Sequence, residues 1–168
     1  LGVTEKRIAT GFDTVSVCFS KGLGAPVGSA LCASHALIEQ ARRLRKRLGG
    51  GMRQAGFLAA AARFALQQHR ERLVRDHDNA KALARIVASA KGAQVDLEAV
   101  QTNIVMVDTP TIAAEQIEVA ARAKGVLVAV FGAHRIRLVT HLDVEETAQR
   151  GGQIVAEVIE TLQRLHGE

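Results

Sequence analysis

The sequence predicts a mixed α/β chain, and three observations carry that prediction. Near the start, the β-branched and apolar run Thr14 to Phe19 stops at Ser20-Lys21-Gly22, with further Gly and a Pro behind it. That is the signature of a buried strand entering a tight loop. From His35 the apolar residues Leu37, Ala41, Leu44 and Leu48 recur at helical spacing, while Arg42, Arg43, Arg45, Lys46 and Arg47 load the remaining surface. After Lys91-Gly92, segments follow in the order strand, helix, strand, strand, helix, which makes a small sheet covered by helices.

Taken in order, Val27 to Ala33 reads as a second short strand, and Ser34 stands where a helix N-cap belongs. Gly49-Gly50-Gly51 ends the first amphipathic helix. A new one is expected to open near Met52-Arg53 and to run, with a break around His69 to Asp76, as far as about Ser89. Ala59 to Ala62 let a neighbouring element approach closely. Asn103 to Val107 reads as a strand, Ala113 to Lys124 as a helix closed by Gly125, Val126 to Val130 and Ile136 to Thr140 as strands, and Val144 to Leu165 as the last helix. Asp143 and Glu146 have capping-box spacing at its start. Two strands and one helix cannot bury both faces of a sheet. Residues 1–50 therefore read as the last piece of a larger sheet domain, 51–90 as linking helices and 91–168 as a small α+β domain.

Composition narrows the function classes. A chain of 168 residues, 48% apolar and 23% charged, has the makings of a folded core and is neither disordered nor low-complexity. No stretch reaches the length of uncharged apolar sequence that a membrane helix needs, since Arg63 interrupts even the Ala-rich run Gly56 to Leu66. The N-terminus carries no initiator Met and no basic-then-apolar signal, and it reads as cut. Cys18 and Cys32 form neither a disulfide framework nor a metal spacing; both are expected to be buried small hydrophobes in a reducing cytoplasm. No His spacing suits a metal.

Charge is unevenly spread, at +8 over residues 1–84 and −3 over residues 85–168. The basic half should meet an anion: nucleic acid, an acidic partner subunit, or a small phosphorylated molecule. Nucleic acid is disfavoured, because no aromatics interleave the basic residues and the second half is acidic. The run Gly22-Leu23-Gly24-Ala25-Pro26-Val27-Gly28 is no dinucleotide loop: the third Gly is displaced, and Pro and a strand stand where the helix should begin. What remains unusual is Lys21 at the C-terminal end of a strand. It is either a lysine that snorkels to solvent or an amine poised to condense with an aldehyde.

The stretch Asp13-Thr-Val-Ser-Val-Cys-Phe-Ser-Lys-Gly-Leu-Gly-Ala-Pro-Val-Gly-Ser29 closely resembles the cofactor-lysine segment of the low-specificity L-threonine aldolases, pyridoxal-phosphate enzymes of the aspartate-aminotransferase fold (fold-type I). Two further blocks resemble the same family in the same order: Arg45-Lys-Arg-Leu-Gly-Gly-Gly-Met-Arg-Gln54 and Ile136-Arg-Leu-Val-Thr-His-Leu-Asp143. The resemblance spans the whole chain and places it as the C-terminal part of such an enzyme.

The resemblance implies that Lys21 holds pyridoxal 5′-phosphate, that Arg53 reaches the cofactor phosphate of a neighbouring subunit, and that Lys46 lines that shared site. Physically, Gly49 to Gly51 followed by a helix start with Arg53 in its first turn would make a phosphate site. Arg137 should share a sheet face with Arg135 and Val139, opposite Ile136 and Leu138. The resemblance assigns Arg137 to the substrate α-carboxylate, which a guanidinium can fork onto with two hydrogen bonds. Arg135, His134 and His141 read as structural. The implied activity is retro-aldol cleavage of L-threonine or L-allo-threonine to glycine and acetaldehyde, in a cytoplasmic homotetramer whose active site is shared across a dimer interface. The family's ring-nitrogen acid, ring-stacking group and phosphate loop lie upstream of these residues, so the 168 residues alone are expected to bind cofactor poorly and turn over little. The alternatives are another pyridoxal-phosphate lyase, such as a phenylserine aldolase or a β-eliminating lyase, and a non-catalytic interaction fragment.

Overall fold

The computed structural model describes residues 2–166, and the chain packs as two compact units, residues 1–71 and 72–168.

In the first unit, α1 (Glu5–Ala9) is capped by Thr4, whose hydroxyl accepts from the Arg7 N–H at 3.3 Å. Strands β1 (Thr14–Cys18) and β2 (Ser29–Ala33) form a two-stranded antiparallel sheet in which Thr14 faces Ala33 and Cys18 faces Ser29. β2 opens two residues later than the sequence suggests. Gly28 sits at φ 111°, and its carbonyl accepts from the Phe19 N–H at 2.9 Å, so the chain is still turning at Val27. Helix α2 (His35–Arg47) starts where expected, with the Ser34 hydroxyl accepting from the Leu37 N–H at 3.4 Å. Helix α3 (Gly56–Gln68) begins later than the anticipated Met52-Arg53. Gln54 adopts φ 52°, a left-handed conformation that no helix can pass through.

Two burial expectations fail in this unit. The apolar spacing of α2 predicts a core face at Leu37, Ala41, Leu44 and Leu48, yet no residue of α2 is buried, and Leu48 is 85% exposed. Cys32 is exposed and Cys18 only half-buried, instead of both lying in a core. The reason is common to both. A two-stranded sheet with one flanking helix offers these side chains no second layer among the described residues.

The second unit contains the α+β arrangement. Helix α4 (Leu73–Ala88) is followed by β3 (Ile104–Asp108), α5 (Ala114–Ala123), β4 (Ala129–Gly132), β5 (Arg135–Val139) and α6 (Ala148–His166). The antiparallel sheet has the order β3-β5-β4. Alternate residues Val105, Val107, Ile136 and Leu138 point into a core shared with Ala80, Ala84 and Val87 of α4, Ile117 of α5 and Val155, Val158 and Ile159 of α6. Each such Val, Leu or Ile contributes about 1.5–3 kcal/mol by leaving water. Helices α4 and α6 approach closely at Gly152, where a Cβ would stand 3.2 Å from Leu83 Cγ.

Two element boundaries differ from expectation, each for a local reason. β4 begins at Ala129, not Val126, because the chain first closes α5: Gly125 takes φ 82°, and the Val126 N–H donates back to the Ala121 carbonyl at 2.9 Å. The last helix begins at Ala148, not Val144, and the Asp143–Glu146 capping box does not form. Leu142–Val144 makes a 3-10 turn, and Glu145 is drawn aside to α4. Its carboxylate accepts from Arg72 Nη2 at 3.0 Å and Arg75 Nη1 at 3.1 Å, and its carbonyl accepts from Asn79 Nδ2 at 3.1 Å. These guanidinium bonds, Arg72 first, hold the Glu145 carboxyl below its ordinary pKa. Arg72 also donates to the buried Asp76 carboxylate at 2.8 Å. Desolvation opposes the charge on Arg72, but the hydrogen bonds to Asp76 and Glu145 outweigh it and raise its pKa. The Thr140 hydroxyl, one residue past β5, donates to the Asp76 carbonyl at 2.6 Å and ties the sheet to α4.

Candidate active site

Lys21 lies three residues beyond β1, in a loop held at its base. The Gly24 N–H donates to the Lys21 carbonyl at 2.8 Å, and Leu23 and Ala25 are buried. His69, just past the end of α3, donates from Nδ1 to the Leu23 carbonyl at 2.8 Å, with the Phe64 ring edge-on against it at 5.4 Å. The loop is therefore pinned two residues from Lys21, while the Lys21 side chain is exposed. Beside it, Cys18 lies 3.4 Å from the Ser20 hydroxyl; that contact, then the Ser20 backbone N–H and more weakly the Lys21 ammonium, pulls the thiol pKa below its usual value.

Lys46 occupies the last turn of α2, where basic residues complement the negative end of the helix. Its side chain lies over Gly51: a Cβ there would be 3.1 Å from both Lys46 Cδ and Nζ. Gly50 donates to the Arg45 carbonyl at 2.7 Å, and a Cβ on it would meet Arg45 Cγ at 2.7 Å. The glycines let the chain fold back across the end of α2 and bring Lys46 against the segment leading to Arg53. Arg53 is exposed and precedes α3 instead of standing in its first turn. The helix dipole expected from the sequence is therefore not available at Arg53, and Lys46 and Arg53 are both exposed cations.

Arg137 sits in the central strand of the second unit, with Met106 of β3 on one side and Ala129 of β4 on the other. Ile136 and Leu138 are buried, whereas Arg135, Arg137 and Val139 lie on the other face. Arg135 stands opposite Asp108 and grips it with Nε at 2.5 Å and Nη2 at 2.9 Å, which lowers the Asp108 pKa. Arg137 has no such partner: neither it nor Lys21 takes part in an ion pair among the described residues. Its Nε is buried and without a hydrogen bond, and its guanidinium carbon lies 5.7 Å from the centre of the Phe131 ring. His134 donates from Nδ1 to the Ile112 carbonyl at 3.0 Å, and His141 Nδ1 accepts from the Asp143 N–H at 3.2 Å. Both are local fasteners.

Lys21, Lys46 and Arg53 belong to the first unit and Arg137 to the second. Sequence reasoning missed His69 and Phe131. His69 is 46 residues from the carbonyl it binds, and no local pattern announces that bond. Phe131 carried a signal, as an aromatic residue two positions from a turn in a chain with only five Phe.

The family model described as beta-eliminating lyase matches residues 1–110. Low-specificity L-threonine aldolase 1 of Arabidopsis thaliana is 44% identical over 144 residues, covering 84% of this chain and 40% of the relative. The low specificity L-threonine aldolase of Escherichia coli K12 is 42% identical over 143 residues, or 85% of this chain and 41% of the relative. The chain thus spans about two fifths of the length of these curated relatives. A solved structure of a candidate L-allo-threonine aldolase from Listeria monocytogenes superposes with a TM-score of 0.75 over 95% of this chain and 47% of that one. At 19% identity that likeness speaks to the fold, which is the fold-type I architecture of pyridoxal-phosphate enzymes.

Proposed function

The chain belongs to the beta-eliminating lyase family, and on that premise we propose that the complete protein is a pyridoxal-phosphate-dependent aldolase cleaving L-threonine or L-allo-threonine to glycine and acetaldehyde. The observation that carries the reading is the 42–44% identity to L-threonine aldolases across more than four fifths of the chain, combined with an exposed Lys21 amine on a pinned loop. The residues present suit the cofactor: an accessible primary amine for its aldehyde, and the cations Lys46 and Arg53 for its phosphate.

When bound, the pyridine ring supplies the electron sink for carbon–carbon cleavage. Lys21 would hold the cofactor through Nζ, and as a free amine it would take up a proton and deliver it to Cα of the product. Arg53 would meet the phosphate of the cofactor held by a neighbouring subunit, with Lys46 lining that shared site. Arg137 grips the α-carboxylate and so fixes which bond of Cα is aligned for breaking, a contribution of positioning.

A homotetramer with sites shared between subunits accords with the exposed Leu48, Met52 and Phe57 around Lys46 and Arg53, Phe57 being 89% exposed. A cytoplasmic location and a role in supplying glycine accord with two free cysteines and with the proposed product. No helix among the described residues is long and apolar enough to cross a membrane.

The family's name favours a second reading, β-elimination, in which ammonia and not an aldehyde is released. Borohydride reduction of the cofactor-loaded complete protein, followed by peptide mapping, should label Lys21; a label on any other lysine overturns its assignment. Aldehyde and glycine in equal amounts from L-threonine, exceeding the yield from phenylserine, support the threonine aldolase. Ammonia release supports elimination.

A further inference from the structure

We infer that Phe131 is a positioning residue, backing Arg137 so that its two terminal nitrogens are presented to a substrate carboxylate. The inference rests on the assignment of Arg137 to that carboxylate. Four observations converge on it.

The pairing of β4 with β5 is irregular: Val130 faces Ile136 and Gly132 faces Arg135, which leaves Phe131 as the extra residue of a bulge. Bulges re-aim side chains, and this one sets the ring beside Arg137. Second, Phe131 is 59% exposed although it is a large aromatic residue, so its placement is not explained by core packing. Third, the guanidinium carbon lies 5.7 Å from the ring centre, within the range of a cation–π contact. Fourth, Arg137 Nε is closed to solvent and makes no hydrogen bond, although a buried donor left unpaired is costly.

Together these features describe an arginine with one edge shut. A free guanidinium can meet a carboxylate through Nε and one terminal nitrogen or through both terminal nitrogens. With Nε enclosed, only the second mode remains, and the ring restrains the rotation that would exchange them. The neighbouring Arg135 shows the contrast: its Nε and Nη2 are already engaged with Asp108 in the first mode. Phe131 thus separates the two arginines of one strand face into a structural and a receptive one.

The test is a double-mutant cycle in the complete, cofactor-loaded enzyme, reading KM and kcat for L-threonine and, independently of turnover, glycine affinity by calorimetry. Phe131→Leu keeps an apolar side chain but removes the ring's charge distribution. It should raise KM and the glycine Kd by about two- to fivefold, with a smaller change in kcat. Phe131→Tyr should restore both to within about twofold. In an Arg137→Ala background, Phe131→Leu should add nothing. Equal effects of Phe131→Leu in both backgrounds, or failure of Tyr to rescue, would overturn the role of the ring while leaving Arg137 in place. If Arg137→Ala itself leaves glycine affinity unchanged, the assignment of Arg137 falls and the inference with it.

Discussion

Replacing Arg72 by Met tests the ion cluster that joins α4 to the chain following β5. Asp76 is only 1% exposed, and its carboxylate receives Arg72 Nη2 at 2.8 Å and Nη1 at 3.4 Å. Arg72, 15% exposed, is the only cation paired with Asp76 among the described residues, and it also reaches Glu145. Methionine retains most of the volume of the arginine stem and removes the charge. Breaking a buried pair on one side costs about 3–5 kcal/mol, because the remaining charge stays buried and uncompensated. The expected loss at pH 7 is therefore about 3–5 kcal/mol.

The pH dependence fixes the cause. In the parent, Glu145 has a lowered pKa, so its contribution is present above the ordinary carboxylate pKa and is lost as pH falls through the lowered value. In the Arg72→Met variant most of that contribution is gone, so the difference between parent and variant should narrow as pH falls below the ordinary carboxylate value. Urea unfolding followed by far-UV circular dichroism suits a chain without Trp or Tyr. Arg72→Met/Asp76→Asn should recover part of the loss. A loss below about 1 kcal/mol, or one that does not change with pH, would refute the electrostatic account.

Thr140→Val removes the hydroxyl that donates to the Asp76 carbonyl at 2.6 Å and should cost about 1–2 kcal/mol in the same unfolding assay. Gly51→Ala would push only the flexible end of Lys46, so it should leave stability nearly unchanged while weakening cofactor binding about two- to fivefold, measured by equilibrium titration of the complete protein. Gly50→Ala meets the Arg45 backbone carbonyl at 3.1 Å as well as its side chain, and should lower the melting temperature measurably where Gly51→Ala does not.

The alternation in Arg135–Val139 was legible because a strand's two faces are written into every second residue, and the structure buries Ile136 and Leu138 accordingly. The Ser34 cap and the closure of α5 by Gly125 were legible for the same kind of reason: the bonds involved span only a few residues. The start of α6 was not. Asp143 and Glu146 satisfied a local rule, but Arg72 and Arg75, some 70 residues away, claim Glu145, and a set of charge-assisted bonds outweighs one cap. The start of α3 failed on a single residue, Gln54, whose positive φ no side-chain pattern signals.

By itself the sequence determined the succession of helices and strands from β1 onward, the inward face of the second unit's sheet and the motifs around Lys21, Lys46, Arg53 and Arg137, since each depends on spacing along the chain. Only tertiary structure decided that His69 pins the loop behind Lys21, that Asp108 occupies Arg135 and leaves Arg137 free, and that a bulge brings Phe131 against it. Those contacts depend on distances in space between residues that the chain holds apart, and which arginine of a pair finds a carboxylate is settled by register across strands.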